Sequence, residues 1–182
     1  MVHVKPDKRS QRSAGLICDG LLRCLKRKSF TQITITDIQR EAGVGRATFY
    51  RLFDNIHDVL VYLCDTTFGE QLFSQRPAYD QSLEELFLSG IRYWMERQEV
   101  LDAIISCNRM DIVNNVFRKN AESVQTLYPQ LSIQPEQMAY ICGMVTSLMV
   151  SVLQTWVEHG KRETPEEILE YVSVIPKLFG KE

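Results

Sequence analysis

Arg46, Thr48 and Arg51 follow a glycine within seven residues, and each can contact nucleic acid. An arginine in the first turn of a helix can pair in bidentate fashion with guanine O6 and N7, worth ~1–3 kcal/mol of discrimination between bases. A solvated surface arginine is the plainer alternative for Arg46. Thr48 can touch a phosphate or a thymine methyl. Gly45 and Ala47 carry so little bulk that the backbone can approach a duplex closely. Upstream, Thr36 can offer its hydroxyl, and the amides at the start of its helix, to a phosphate. Thr34 stands in the same lead-in and joins the DNA-facing candidates.

Such groups need a scaffold that holds one helix outward. Residues 34–53 read TITDIQREAGVGRATFYRLF. This is an eight-residue helix, a glycine turn and a second short helix, the arrangement that sets a helix in the DNA major groove. Thr36, with Gln39 three residues on, forms a capping-box pattern and is the expected cap of the first helix. Ile38 and Ala42 lie four apart and suit burial on one face. Gly43 stands where that helix should stop, since glycine adopts the left-handed conformation without a Cβ clash. Val44 fills the space between the helices. Phe49, Leu52 and Phe53 supply the buried side of the second helix. Arg46, Ala47, Thr48, Tyr50 and Arg51 are left facing outward or along the rim.

The run AGVGRATFYRLF resembles the signature of the tetracycline-repressor (TetR) family of bacterial transcription regulators. SFTQITITDI upstream is similar to that family's lead-in, and DVL at 58–60 to the start of its fourth helix. The resemblance is specific over residues 10 to 60 and architectural beyond them. It implies an all-α fold of about nine helices. An N-terminal three-helix helix-turn-helix DNA-binding domain would span 1–55, and a C-terminal helical effector-binding and dimerisation domain 56–182. It implies that Tyr50 meets a phosphate through its hydroxyl. It also implies a homodimer on double-stranded DNA, because two recognition helices related by a two-fold axis read a palindromic operator. The expected activity is a repressor relieved by a small-molecule effector.

Two residues depart from the family pattern. Leu52 stands where His or Tyr is usual, and Ile56 followed by His57 where Lys is usual. Both usual residues contact phosphate. Each lost contact weakens binding and flattens its salt dependence by nearly one unit of slope. His57, when protonated, and Arg51 could offset part of the loss. The same departures keep a second reading open: a co-activator or adaptor of this fold, acting through protein contacts with weak DNA binding of its own.

The rest of the chain is helical in pattern, with nothing that reads as a strand. Ile17, Leu21 and Leu25 mark a helix over 9–27, with Gly15 and Gly20 as possible points of close approach. Lys26, Arg27 and Lys28 suit the negative end of its dipole. Lys5, Lys8, Arg9 and Arg12 lie before or within its first turn, where the dipole does not favour them, and are better candidates for phosphate or the minor groove. Further helices are expected at 57–74, 82–98, 99–106, 111–127, 135–159 and 164–179. For the effector that the resemblance implies, Phe87, Trp94, Cys107, Met110, Phe117, Tyr140 and Met144 are candidate lining residues, with Asn108 and Arg109 as polar options. Spacing alone reads the apolar ones equally well as core. For the dimer interface, which the resemblance puts on the last two helices, the candidates are Ile141, Val145, Leu148, Val152, Trp156, Ile168, Val172 and Ile175. Periodicity does not separate an interface from a completed core.

Composition fits this reading. The 182 residues are 45% hydrophobic and 24% charged, ordinary for a globular chain. Net charge is −2, but it is unevenly placed: residues 1–60 carry eleven Lys or Arg against six Asp or Glu, and the remainder ten against seventeen. A basic head suits phosphate. No stretch approaches the ~20 apolar residues that cross a bilayer, so no membrane role is expected. No apolar signal segment opens the chain. Five cysteines without C-x-x-C spacing point to a reduced, cytoplasmic compartment. Cys18 and Cys24 read as inert buried thiols rather than a redox pair. No catalytic constellation, metal motif or cofactor motif is apparent.

Overall fold

The computed structural model describes residues 1–74, 82–119 and 134–175. Among these the chain is helical, with one isolated bridge pairing Val2 and Phe53 antiparallel. In order, the helices are α1 (Lys8–Leu25), α2 (Ile35–Ala42), α3 (Arg46–Leu52), α4 (Ile56–Ser74), α5 (Leu83–Glu96), α6 (Gln98–Ser106), α7 (Met110–Lys119), α8 (Pro135–Glu158) and α9 (Pro165–Val172). A 3-10 turn at Phe30–Gln32 precedes α2. The expected continuations of α7 to residue 127 and of α9 to 179 lie partly outside the described residues. Packing divides the chain into two compact units: Met1–Glu70 with Glu99–Ile112, and Gln71–Gln98 with Val113–Glu182.

In the first unit α1 lies against α2 and α3. Ala14, Ile17, Leu21, Ile38, Phe49, Leu52 and Phe53 are buried between them. Gly20 is required by this packing. A Cβ there would stand 3.0 Å from both the Ala42 Cβ and the Ile38 carbonyl oxygen. Gly15 has open space instead and reflects no close approach. Gly43 ends α2 at φ 65°, the left-handed conformation its position calls for.

The start of α2 corrects one expectation. Thr34, not Thr36, is the cap. Its hydroxyl accepts the Asp37 amide (3.1 Å), and the Asp37 carboxylate accepts the Thr34 amide (3.0 Å), a reciprocal box. Gln39 therefore plays no capping part. The frame that wins has an acid at its third position, and that acid gains two cations: Lys28 and Arg40, each at 3.0 Å. These contacts hold the Asp37 carboxyl far below the usual carboxylate range, first through the Lys28 hydrogen bond and then through Thr34.

In the second unit α5 packs on α8 and α9. Ile91, Trp94, Met149, Leu153, Trp156 and Ile168 are buried. The Trp156 indole N–H donates to the Glu163 carbonyl at 3.0 Å. Arg92 pairs with Glu166 at the start of α9. Thr164 caps α9 in a box with Glu167, and Pro165 takes the first position, as TPEE predicts.

Candidate nucleic-acid interface

The face of α3 follows from what its other face must do. Phe49 and Phe53 are fully buried, and Leu52 is 1% exposed. With those three committed to the core, helical geometry turns Arg46, Ala47, Tyr50 and Arg51 outward, and all four are exposed. Thr48 is half-buried on the rim. Gly45 is exposed and precedes the helix in extended conformation, its carbonyl accepting the Thr48 and Phe49 amides at 3.0 and 3.2 Å. The Arg46 guanidinium lies 5.5 Å from the Tyr50 ring centroid, and that ring meets Phe49 edge-on at 5.6 Å. Tyr50 thus stands between the core and Arg46, and stacking limits where the guanidinium can go. Among the described residues, neither Arg46 nor Arg51 has an ion-pair partner.

The basic residues sort into two groups. Those at the end of α1 are occupied: Arg27 pairs with Glu41 (3.1 Å), Lys26 with Glu99 (2.6 Å) and Lys28 with Asp37 (3.0 Å). Arg23 donates to the Glu41 carbonyl at 2.6 Å. Those at its beginning, Lys5, Lys8, Arg9 and Arg12, are exposed and have no ion-pair partner among the described residues. The first residues of the chain do not dangle: the His3 amide donates to the Leu52 carbonyl at 2.8 Å, and the His3 ring meets Asp54 at 2.9 Å.

Thr34 and Thr36 divide differently from their sequence reading. The Thr34 hydroxyl is taken up by Asp37, at 2.8 Å as donor. Thr36 is exposed on the first turn of α2. His57 is half-buried, and its ring is met by Arg109 (2.7 Å to Nδ1), a contact between residues 52 apart that no local pattern announces. Leu52, at a position where the family pattern has a phosphate contact, is a core residue.

The remaining candidates are scattered. Trp94 is buried and Phe87 half-buried on α5; Cys107 is half-buried after α6, with burial pushing its thiol up. The side chains of Met110 and Phe117 lie outside the described residues. Tyr140 is 78% exposed and Met144 70% on α8. A groove of about 260 Å³ lies between α1 and α6, lined by Leu22, Leu25, Lys26, Glu99, Asp102, Ala103 and Ser106, none of them an expected effector contact. Of the interface candidates, Val145 is exposed, and Ile141, Leu148, Val152, Val172 and Ile175 are half-buried. Trp156, 5% exposed, and Ile168 are buried within their own chain. Cys18 and Cys64 are buried thiols pushed up to about 12 by desolvation. Among the described residues no trio of His, Cys, Asp or Glu could hold a metal, and no helix is long and apolar enough to cross a membrane.

Comparison with known proteins points one way. The family profile described as "Bacterial regulatory proteins, tetR family" matches residues 17–63, and "Transcriptional regulator C-terminal region" matches 81–176. No curated protein matches significantly. Among solved structures, Lin0861 from Listeria innocua is similar over 98% of each chain at 18% identity and TM-score 0.82. A TetR transcriptional regulator from Streptococcus agalactiae is similar over 88% of this chain and 91% of its own, at 20% identity and TM-score 0.61. The fatty acid degradation regulator FadR from Bacillus halodurans covers 88% and 92%, at 14% identity and TM-score 0.55.

Proposed function

Because the chain belongs to the TetR family of transcriptional regulators, we propose that it is a dimeric repressor that reads a palindromic operator through α3 and is released by a small-molecule effector. In this reading residues 1–55 bind DNA, residues 56–182 bind the effector and a second copy, and the protein works in the cytoplasm without a catalytic role. The observation that carries it is the division of α3. One side is spent entirely on the core, and the other presents Arg46 and Arg51, which have no ion-pair partner among the described residues. Arginines with no carboxylate partner among the described residues can exchange water for base edges and phosphates. Arg46 reads a base, Tyr50 and Thr36 meet phosphate, Thr48 lies at the groove edge, and Gly45 and Ala47 allow close approach. Lys5, Lys8, Arg9 and Arg12 add phosphate contacts.

The exposed Tyr140, Met144 and Val145 on α8 are assigned to the second copy rather than to an effector site. Ile141, Leu148 and Val152 flank them. Phe87 and Trp94 on α5, with Phe117 on α7, remain effector candidates of the second unit.

A second reading, the adaptor with weak DNA binding, draws on Leu52 and His57, since one is buried and the other is held by Arg109. One experiment separates the two. The purified protein is titrated against the DNA upstream of its own coding region at 50 and 200 mM salt. A repressor making six to ten phosphate contacts loses ~10³–10⁵ in affinity between these salts. Absence of binding unless another protein is added would instead support the adaptor.

A further inference from the structure

Residues 2–5 read VHVK, an alternation of apolar and polar side chains. Val2 and Val4 are half-buried while His3 and Lys5 are exposed, the two-residue period of a strand with one covered face. Pro6 follows and favours extended backbone at Lys5. Asp7 then caps α1 by accepting the Ser10 amide at 2.9 Å, so the extended stretch runs into a fixed end. At its other end Val2 pairs antiparallel with Phe53, and the His3 amide donates to the Leu52 carbonyl at 2.8 Å. Leu52 is the last residue of α3, and Phe53, extended at φ −144°, is its cap. Carbonyls in the last turn of a helix have no partner inside it. A helix of seven residues is also well short of the ~12–15 that stay helical in water unaided. Beyond the junction, the Asp58 carboxylate accepts the Asp54 and Asn55 amides at 3.1 and 3.2 Å, and the Asn55 side chain accepts the Asp58 amide at 3.0 Å, which ties down the start of α4.

We propose that residues 2–4 are a clasp that positions α3: by pairing their backbone with Leu52 and Phe53 they close the open end of that helix and join it to the start of α1. The buried Phe49 and Leu52 hold α3 against the core along its length. They leave its final carbonyls without partners, and the strand supplies one. With the clasp open, the last turn frays, and Arg51 on its exposed side loses a fixed place. A binding group has to be held to within about 0.5 Å of its working position, so a frayed turn weakens recognition without removing any group that touches the ligand. The segment is engaged with its own head rather than with a groove of the duplex, and its part is one of position. This inference rests on reading α3 as the DNA-facing helix.

The test substitutes His3 in the intact protein. His3→Pro removes the amide that bonds Leu52, and proline otherwise suits an edge strand. His3→Ala keeps that amide and loses only the ring, which meets Asp54 at 2.9 Å. Hydrogen exchange is read residue by residue without DNA. In the wild type the His3 amide should be protected. In His3→Pro the Leu52 and Phe53 amides should exchange about three- to tenfold faster, the net worth of one backbone hydrogen bond, while those of Ile17 and Leu21 in α1 keep their wild-type rates. His3→Ala should match the wild type at all of these. Unchanged rates at Leu52 and Phe53 in His3→Pro overturn the proposal. So does equal acceleration in His3→Ala, which would assign the hold to the ring. Should His3→Pro not fold, Val2→Gly, which loosens the pairing strand, takes its place with the same expectations. The second arm is binding to upstream DNA. His3→Pro should bind about three- to tenfold more weakly at an unchanged salt slope, since no phosphate contact is removed. Undiminished affinity, or a slope flattened by about one unit as if the segment itself touched phosphate, ends the positioning role. If the wild type binds no DNA, the reading of α3 as DNA-facing falls, and the exchange rates still decide whether the strand holds the helix.

Discussion

The exposed faces of α3 and α8 are built from opposite chemistries. On α3 the outward residues are Arg46, Ala47, Tyr50 and Arg51, and Tyr50, the largest, is 43% exposed with Arg46 lying over its ring. On α8 the exposed large apolar residues are Tyr140, Met144 and Val145, beside the exposed Ser147 and Ser151, with Tyr171 on α9 also exposed. A guanidinium in water is at no disadvantage, whereas each apolar side chain left in water forgoes the ~25 cal/mol per Å² that cover would supply. Exposure on α3 thus needs no further explanation from stability, and exposure on α8 does. Clustered exposed apolar residues mark a surface that another protein covers. Under the proposed function the two faces have different partners: a polyanion for α3 and a second copy for α8.

The comparison fails first if α3 cannot be held. Phe49 is fully buried and carries the ring contacts to Tyr50 and Phe53, at 5.6 and 6.0 Å. Phe49→Ala should cost about 3–5 kcal/mol of stability, read by urea denaturation, since a cavity replaces a ring in a tight core. A loss under 1 kcal/mol would mean that the inner side of α3 is not the anchor described above. Met144→Glu probes the other face. With the side chain 70% exposed, the monomer's melting should hardly change. Its self-association, measured by sedimentation, should weaken by about 2 kcal/mol or more if Met144 lies at the centre of a subunit contact. Unaltered association would move the interface elsewhere.

These faces differ also in how far the sequence alone announces them. Helix ends were legible where the signal is local: Gly43 stops α2, and Thr164-Pro165-Glu166-Glu167 starts α9, because caps depend on residues within four positions. The side of α3 was legible because seven residues with three large apolar groups have one way to bury them. Thr34 outcompeted Thr36 as a cap through Lys28 and Arg40 on Asp37, and Lys28 belongs to the preceding turn, which a capping pattern does not include. The faces of α8 were illegible because apolar residues run round most of the helix. Only packing decides that Trp156 turns inward to Glu163 while Tyr140 and Met144 turn out. Arg109 and His57 meet across 52 residues, and nothing in either neighbourhood points to the other.

The smallest expected effect sharpens the α3 side. Arg46→Ala leaves the core untouched, because the side chain is exposed and its only ring partner, among the described residues, is Tyr50. Stability should therefore stay within ~0.5 kcal/mol of wild type. Binding to the preferred DNA site should weaken by about 1–3 kcal/mol, and discrimination at one base pair should relax, because a bidentate contact to guanine is lost. Lys8→Ala supplies the contrast. A residue that touches only phosphate should weaken binding to every sequence alike and lower the salt slope by about one unit. Measuring both variants against a set of single-base changes assigns each cation its role. If Arg46→Ala behaves as Lys8→Ala does, with no position relaxed, then α3 meets the duplex as a charged surface and sequence is read by another part of the head.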